Sequence, residues 1–457
     1  MARHSAVYVA GTALQGLGVL LILPFATRLL GPAEFGRVAT GLVVVQMIGT
    51  LASAGLPQVI LREHSRGVEG PRTARALAGT MILAASLLGV VGALVVLGLG
   101  LAGLVSPREL LPLVVGAAAL TVVVSGQTLM RARLKPWSFF VLAVGSTVLA
   151  QGSGLVAART SPTSSAYLTA YAVVLALVAV VAVVLGRPLL PTAQPERVRA
   201  GVRLALPLIP QGFAMLGLLM GDVLLASLLL GPKAAGSYQV ALQLGNMPFV
   251  LATALFNAWA PLVLSAPQES RWAFTARTGT VMTAVVAAGA LGVALVSPWL
   301  VMLMSKADFG HVTMVATIGW LVSTAIFYMI YQGSSLAVLD AERTSRIALA
   351  SVVAIAVLAG LSFVLAPRLG IVGIAIAKVA AYGVLAIATT AFAKTHSPLR
   401  WPRWLLLGIP LPVVAAAALG GQLGVEGWAA VLRLVAAGIV AVVVVGGAPR
   451  VLRLLRD

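Results

Sequence analysis

The chain has 457 residues, 60% hydrophobic and 9% charged, with 31 Lys and Arg against 12 Asp and Glu for a formal net charge of +19. That is too little polar surface for a water-soluble fold of any size. The basic residues lie between apolar runs and form no basic face with interleaved aromatics, so nucleic-acid binding is excluded, and without cysteine there are no disulfides or thiolate metal sites.

The first apolar run, Val7 to Leu30, is too long for a signal-peptide core and no A-x-A-type site follows it, so it reads as a retained first helix. Later runs are each long enough to cross a bilayer, which takes about 20 residues. In chain order, hydropathy predicts about fourteen helical spans: 7–30, 38–61, 76–105, 110–130, 138–158, 167–186, 204–230, 237–264, 278–304, 313–339, 347–366, 371–393, 404–420 and 429–448. The gaps leave no room for a soluble domain, and the Pro- and Arg-rich stretch Arg187–Arg203 reads as a linker. His4, His64, His311 and His396 are scattered in predicted loops without metal-ligand spacing, so no metal site is expected.

Span 1 ends in Leu29-Leu30-Gly31-Pro32 with Gly36 beyond, and span 7 ends in Leu229-Leu230-Gly231-Pro232 with Gly236 beyond. The offset is 200 residues without a gap. Pro stops each helix and Gly allows a tight turn. Each copy sits at the same point of a six-helix unit, which predicts two halves of like orientation related by an axis along the membrane normal. The expected division is an N-lobe over 1–200 (spans 1–6), a C-lobe over 201–393 (spans 7–12) and a C-terminal helix pair with its tail over 394–457.

With the N-terminus in the cytoplasm, 22 of the 31 Lys and Arg fall on that side and 7 on the other, while Lys378 and Arg433 fall within spans. This bias predicts that both termini are cytoplasmic, and it makes the net charge mainly a topology signal with some attraction to anionic lipid. Trp137, Trp272, Trp299, Trp401, Trp404 and Trp428 lie near predicted span ends, as an interfacial belt requires.

Polar residues inside spans are the candidates for function. Span 8 carries Gln239, Gln243, Asn246, Thr253 and Asn257, which share one face of a regular helix. In the repeat, Asn246 corresponds to Gln46 and Thr253 to Ser53. Span 10 carries a similar row, Thr317, Thr324, Tyr328, Tyr331 and Ser335. Such rows serve either interhelical hydrogen bonding or the lining of a water-filled cavity, and uncharged amides and hydroxyls suit a polyhydroxylated cargo. Asp222 lies eight residues before the end of span 7 and Lys378 seven residues into span 12, so both sit at matching depth, roughly 10–12 Å at 1.5 Å per residue. They read either as a structural ion pair or as a cation for a phosphate group beside an acid for Na⁺ or H⁺. Arg28 near the end of span 1 and Arg62 at the end of span 2 are further cavity candidates, and Arg433 reads as peripheral.

Pro24-Phe25-Ala26-Thr27-Arg28-Leu29-Leu30-Gly31-Pro32-Ala33-Glu34-Phe35-Gly36 resembles the first-loop signature of polysaccharide-biosynthesis (O-antigen-type, lipid-linked oligosaccharide) flippases, within the multidrug/oligosaccharidyl-lipid/polysaccharide exporter superfamily. Asp222 followed by Leu230-Gly231-Pro232 and Gly236-Ser237-Tyr238 is similar to the matching turn of that family's second half. Gly370-Ile371-Val372-Gly373-Ile374-Ala375 is similar to its small-residue entry to span 12. The resemblance implies an all-α membrane protein with two six-helix lobes forming a V around a central cavity, two extra helices, and alternating access. It implies that undecaprenyl-diphosphate-linked oligosaccharide passes from the cytoplasmic to the outer leaflet of a bacterial cytoplasmic membrane. The expected partners are that lipid-linked glycan, membrane lipids and polymerase or glycan-assembly proteins. The expected state is a monomer, with no cofactor beyond Na⁺ or H⁺ coupling. Lipid II flippases of the superfamily are expected to carry several cavity arginines, whereas the basic candidates here are Arg28, Arg62 and Lys378. A cation-coupled multidrug or metabolite antiporter, using Tyr328, Tyr331 and Asp222, is the other alternative. An enzyme such as a glycan polymerase is not expected, because the outer loops are short.

Overall fold

The computed structural model describes residues 2–402 except 342, together with 405, 408–410, 413–415 and 427–454. Among these residues every regular element is a helix. In chain order they are α1 (Ala2–Ser53), α2 (Leu56–His64), α3 (Gly70–Leu101), α4 (Pro107–Ala132), α5 (Pro136–Val144), α6 (Ala150–Thr160), α7 (Ser164–Gly186), α8 (Pro195–Ala205) and α9 (Ile209–Leu230). There follow α10 (Pro232–Gly245), α11 (Met247–Ser265), α12 (Gln268–Met304), α13 (His311–Leu321), α14 (Thr324–Asp340), α15 (Thr344–Leu369), α16 (Ile371–His396) and α17 (Gly427–Leu454).

Eleven helical stretches among the described residues are long and apolar enough to cross a membrane. The difference from fourteen has local causes. Leu20–Ser53 holds the end of predicted span 1 and most of span 2, because the two helices run together across Gly31. Each of the others carries one of spans 3 to 12. Span 13 lies mostly outside the described residues, and span 14 falls on α17, with a shorter apolar stretch at Trp428–Val440. The chain is a multi-pass integral membrane protein.

Two compact units divide the chain, residues 1–217 and 218–457, with the boundary inside α9. In the first unit, small side chains and hydroxyls let helices approach: Thr121 on α4 donates to the Gly49 carbonyl on α1 (3.3 Å) and to its own Ala117 carbonyl (2.8 Å). Close packing of this kind carries much of the association of apolar helices in lipid, where burial of apolar surface gives no drive. In the second unit, α14 and α16 are the most enclosed spans, and α13 packs beside α10 and α16.

The repeated G-P turn is alike in both units. Gly31 has φ 68°, ψ 174° and Gly231 has φ 85°, ψ 173°. This region is open essentially to glycine alone and costs other residues about 1–3 kcal/mol. A Cβ at either position would meet nothing within 4 Å, so the demand comes from the backbone and not from crowding. Gly31→Ala and Gly231→Ala are each expected to destabilise by about 1–3 kcal/mol. Gly152→Ala, on open helix surface without positive φ, is the control. Equal melting temperatures for all three variants would refute the shared backbone requirement. Beyond the first turn, Glu34 pairs with Arg37 and accepts the Ser164 amide at the start of α7 (2.6 Å). Beyond the second, the Ser237 hydroxyl donates to the Phe309 carbonyl (2.7 Å).

Candidate functional site

The second unit brings Asp222 on α9 and Lys378 on α16 into direct contact. Lys378 Nζ donates to Asp222 Oδ2 at 2.7 Å and to the Leu219 carbonyl at 2.9 Å. Tyr238, six residues into α10 from Pro232, donates its hydroxyl to the same Oδ2 at 2.6 Å. Asp222 and Tyr238 are 0% exposed and Lys378 is 1% exposed. Asp222 Oδ1 is buried with no partner among the described residues. A charged pair sealed this completely survives only when paired and hydrogen-bonded, since each ion alone is strongly disfavoured away from water. Here one carboxylate oxygen carries both donors while the other is left open, so the cluster has capacity for one more proton or cation.

An aromatic group lies on the neighbouring helix faces. Tyr382, one turn after Lys378 on α16, stands edge-on to Phe249 (5.9 Å between centroids) and Tyr328 (6.2 Å). Phe249 stacks on Tyr328 at 3.9 Å, and Tyr331 lies 5.8 Å from Tyr328. Tyr328 and Tyr331 therefore join Tyr382 and Phe249 in one aromatic cluster of the second unit, in which the three tyrosines are buried and Phe249 is half-buried.

The polar row of span 8 does not run along one unbroken helix. Pro248 lacks an amide proton and its ring clashes with the carbonyl four residues back, and the helix breaks at Asn246 (φ −84°, ψ −3°) between α10 and α11. Gln239 Oε1 and Asn246 Oδ1 are buried with no partner among the described residues. Gln243 is half-buried and Asn257 is exposed. Thr253 donates to the Phe249 carbonyl (2.9 Å), as its repeat counterpart Ser53 does to the Gly49 carbonyl (2.6 Å), and Thr253 also meets the Tyr328 hydroxyl on α14. Span 10 is likewise interrupted, at Val322–Ser323, and Thr317, Thr324 and Ser335 donate to carbonyls of their own turns.

In the first unit, Gln46 is half-buried on the second part of α1, Arg28 is exposed just before the Gly31 break, and Arg62 is exposed near the end of α2. Arg433, expected to be peripheral, is 1% exposed and donates to the Leu295 carbonyl on α12 at 3.3 Å.

The aromatic belt also needs correction. Trp137 and Trp428 are well exposed, but Trp272 and Trp401 are buried. Trp401 Nε1 donates to Ser334 Oγ (2.9 Å), which bonds Thr390 Oγ1 (3.0 Å), and Trp259 Nε1 donates to Thr278 Oγ1 (2.8 Å). A Cβ on Gly279 or Gly333 would strike the Trp401 ring at 2.6 or 2.7 Å, so the indole is wedged between α12 and α14. Hydropathy places an indole near a span end, but it does not say whether the ring turns toward lipid or protein.

Tyr238, Tyr382 and Phe249 were not singled out from the sequence as site residues. Depth offers a signal for the first: Tyr238 lies as far from Pro232 as Lys378 does from Ile371, within a residue. Water access to the span 8 row can be measured directly, because the chain has no cysteine. Cysteines at Gln243, Asn246 and Asn257 are expected to react several-fold faster with a hydrophilic thiol reagent than cysteines at Leu244 and Leu255. Equal rates would remove the row from any aqueous path.

The profile of the family described as polysaccharide biosynthesis protein matches residues 1–266, more than half of the chain. No curated protein sequence matches the chain. Among solved structures, the lipid II flippase MurJ in an inward closed conformation is similar at 12% identity and TM-score 0.68, over 98% of this chain and 99% of its own. An inward-facing multidrug-resistance MATE-family transporter is similar at 14% identity and TM-score 0.57, over 85% and 97%. The eukaryotic MATE transporter AtDTX14 is similar at 14% identity and TM-score 0.55, over 92% and 98%. At these identities the likeness is one of fold. The chain belongs to the polysaccharide biosynthesis protein family, and its fold is one that membrane flippases and transporters use.

Proposed function

We propose that this protein is a flippase that moves undecaprenyl-diphosphate-linked oligosaccharide from the cytoplasmic to the outer leaflet of a bacterial cytoplasmic membrane. The observation that carries the reading is the ion pair of Asp222 and Lys378, sealed inside otherwise apolar helices of a polysaccharide-biosynthesis family member. Ionisable groups at membrane depth are costly and mark function. In this reading an N-lobe (1–200) and a C-lobe (201–393) alternate access to a cavity, with the helix pair 394–457 appended and both termini in the cytoplasm. Lys378 turns from Asp222 to the cargo diphosphate, and Asp222, still held by Tyr238, takes a proton or Na⁺. Gln46, Gln239, Gln243, Asn246 and Asn257 meet the sugar hydroxyls, while Arg28 and Arg62 meet phosphate at the two faces.

The cluster of Phe249, Tyr328, Tyr331 and Tyr382 favours a second reading, a cation-coupled antiporter of organic cations, since aromatic faces attract cations. Against it, Lys378 already neutralises the neighbouring carboxylate. The test is a reconstituted vesicle carrying a labelled short-glycan polyprenyl diphosphate in its inner leaflet. Transfer to the outer leaflet above the rate of protein-free vesicles is expected. No transfer, together with accumulation of a fluorescent organic cation down a Na⁺ or H⁺ gradient, would favour the antiporter and end the flippase reading.

A further inference from the structure

The first unit holds a second concentration of charge. Arg75 lies near the start of α3, Arg133 caps α4 and Arg187 caps α7. Arg133 donates through its two terminal nitrogens to the carbonyls of Leu185 (3.3 Å) and Gly186 (2.6 Å). Arg75 Nε donates to the Arg187 carbonyl (2.6 Å), and the Arg75 carbonyl accepts from the Leu189 amide (3.0 Å). The segment after α7 lies so close to α3 that a Cβ on Gly79 would stand 1.9 Å from the Leu189 carbonyl oxygen. The Arg75 and Arg133 side chains are thereby held against the backbone at the end of α7, where Arg187 stands.

Among the described residues no carboxylate pairs with Arg75, Arg133 or Arg187; the adjacent acids are taken, Glu63 by Arg66 and Glu69 by Gln194. Burial, then the charges of Arg75 and Arg187, holds the Arg133 guanidinium below its ordinary pKa. His64, at the end of α2, is held below its ordinary value by burial and then by Arg133, and its Nδ1 is buried with no partner among the described residues. Each guanidinium has five N–H donors in a planar fork suited to phosphate oxygens. Arg75 spends one of these, Arg133 spends two, and Arg187 is exposed. Exposed apolar side chains flank the arginines in sequence: Leu134 and Trp137 follow Arg133, while Val184 and Leu190 bracket Arg187. Charged groups with exposed apolar side chains next to them in sequence, at helix ends, fit a phosphate that arrives attached to a hydrocarbon chain, and free phosphate has no use for the apolar side chains.

We propose that Arg75, Arg133 and Arg187 form a binding site for the phosphate headgroup of a membrane lipid. Two lipids share this chemistry, a resident anionic phospholipid and a polyprenyl diphosphate. The proposal does not depend on the flipping activity, because it is read by binding alone. The detergent-solubilised full chain is titrated with phosphatidylglycerol, with phosphatidylcholine and with a short-chain polyprenyl diphosphate, and bound lipid is counted by native mass spectrometry. Preferential retention of phosphatidylglycerol identifies a resident headgroup, and retention of the polyprenyl diphosphate alone identifies a loading site; either supports the proposal. The double variant Arg75→Gln with Arg187→Gln is expected to bind about twenty-five-fold more weakly, at roughly fivefold per arginine beside charged lipid. If that variant melts early, Arg187→Gln alone serves, since its side chain is exposed and its carbonyl still accepts from Arg75; about fivefold weaker binding is then expected. A charge-matched control, Arg72→Gln with Arg199→Gln, is expected to bind like the wild type. Retention no better than that of phosphatidylcholine, or an equal loss in the control, would overturn the site.

Discussion

Lys378→Ala is expected to destabilise the protein by about 3–5 kcal/mol, the usual cost of leaving one member of a buried ion pair without its partner. Asp222 would keep only the Tyr238 hydroxyl on Oδ2, with Oδ1 still open. Asp222→Asn is expected to cost less, because an amide can still accept from Lys378 and Tyr238, and to abolish any dependence of transport on an ion gradient. Tyr238→Phe removes one hydrogen bond to a charged group, worth about 1.5–3 kcal/mol. The combination Lys378→Met with Asp222→Leu separates stability from function, since apolar replacement of a buried pair is often tolerated. Its melting temperature is expected to return near wild type while lipid transfer in vesicles stays absent. Recovery of transfer alongside recovery of stability would make the pair purely structural and remove the main support for the proposed mechanism.

Trp401→Ala is expected to cost about 3–5 kcal/mol, as for other large aromatic side chains removed from close-packed surroundings. The ring fills the gap between Gly279 and Gly333, and its Nε1 is bonded to Ser334. Trp401→Phe is expected to cost far less, because Ser334 retains Thr390 as a partner and a neutral hydrogen bond is worth only about 1 kcal/mol net. Melting temperatures in detergent read both changes. An indole that merely anchored the chain at the membrane surface would show a small loss for alanine and little difference between the two variants, and that outcome would contradict the wedge.

The sequence by itself determined that the chain is an all-helical membrane protein, where most of its spans lie, and that a Gly-Pro turn recurs 200 residues apart. These properties are local. Length of apolar run decides what crosses a bilayer, and a Gly-Pro at the end of an apolar run marks a turn there, with positive φ at Gly31 and Gly231, whereas Gly70 before Pro71 opens a helix without it. The first-loop residues Pro24 to Gly36 also carried the family, which the profile match bears out. Depth counting brought Asp222 and Lys378 to one level, because rise per residue is fixed in a helix.

Only the tertiary structure decided which side chains at that level meet. Lys378 reaches Asp222 across 156 residues of chain, and Tyr238 joins them from a third helix. Such contacts depend on the rotation of each helix about its axis, and a span apolar all round gives little pattern from which to read that rotation. For the same reason Arg433 and Trp401 turned inward where composition allowed either direction. The row on span 8 shows a further limit: its five residues share a face only while the pitch is unbroken, and the break at Asn246 before Pro248 resets it. Hydropathy averages over such a break because the residues on both sides remain apolar, whereas the backbone geometry at a single residue sets where every later side chain points.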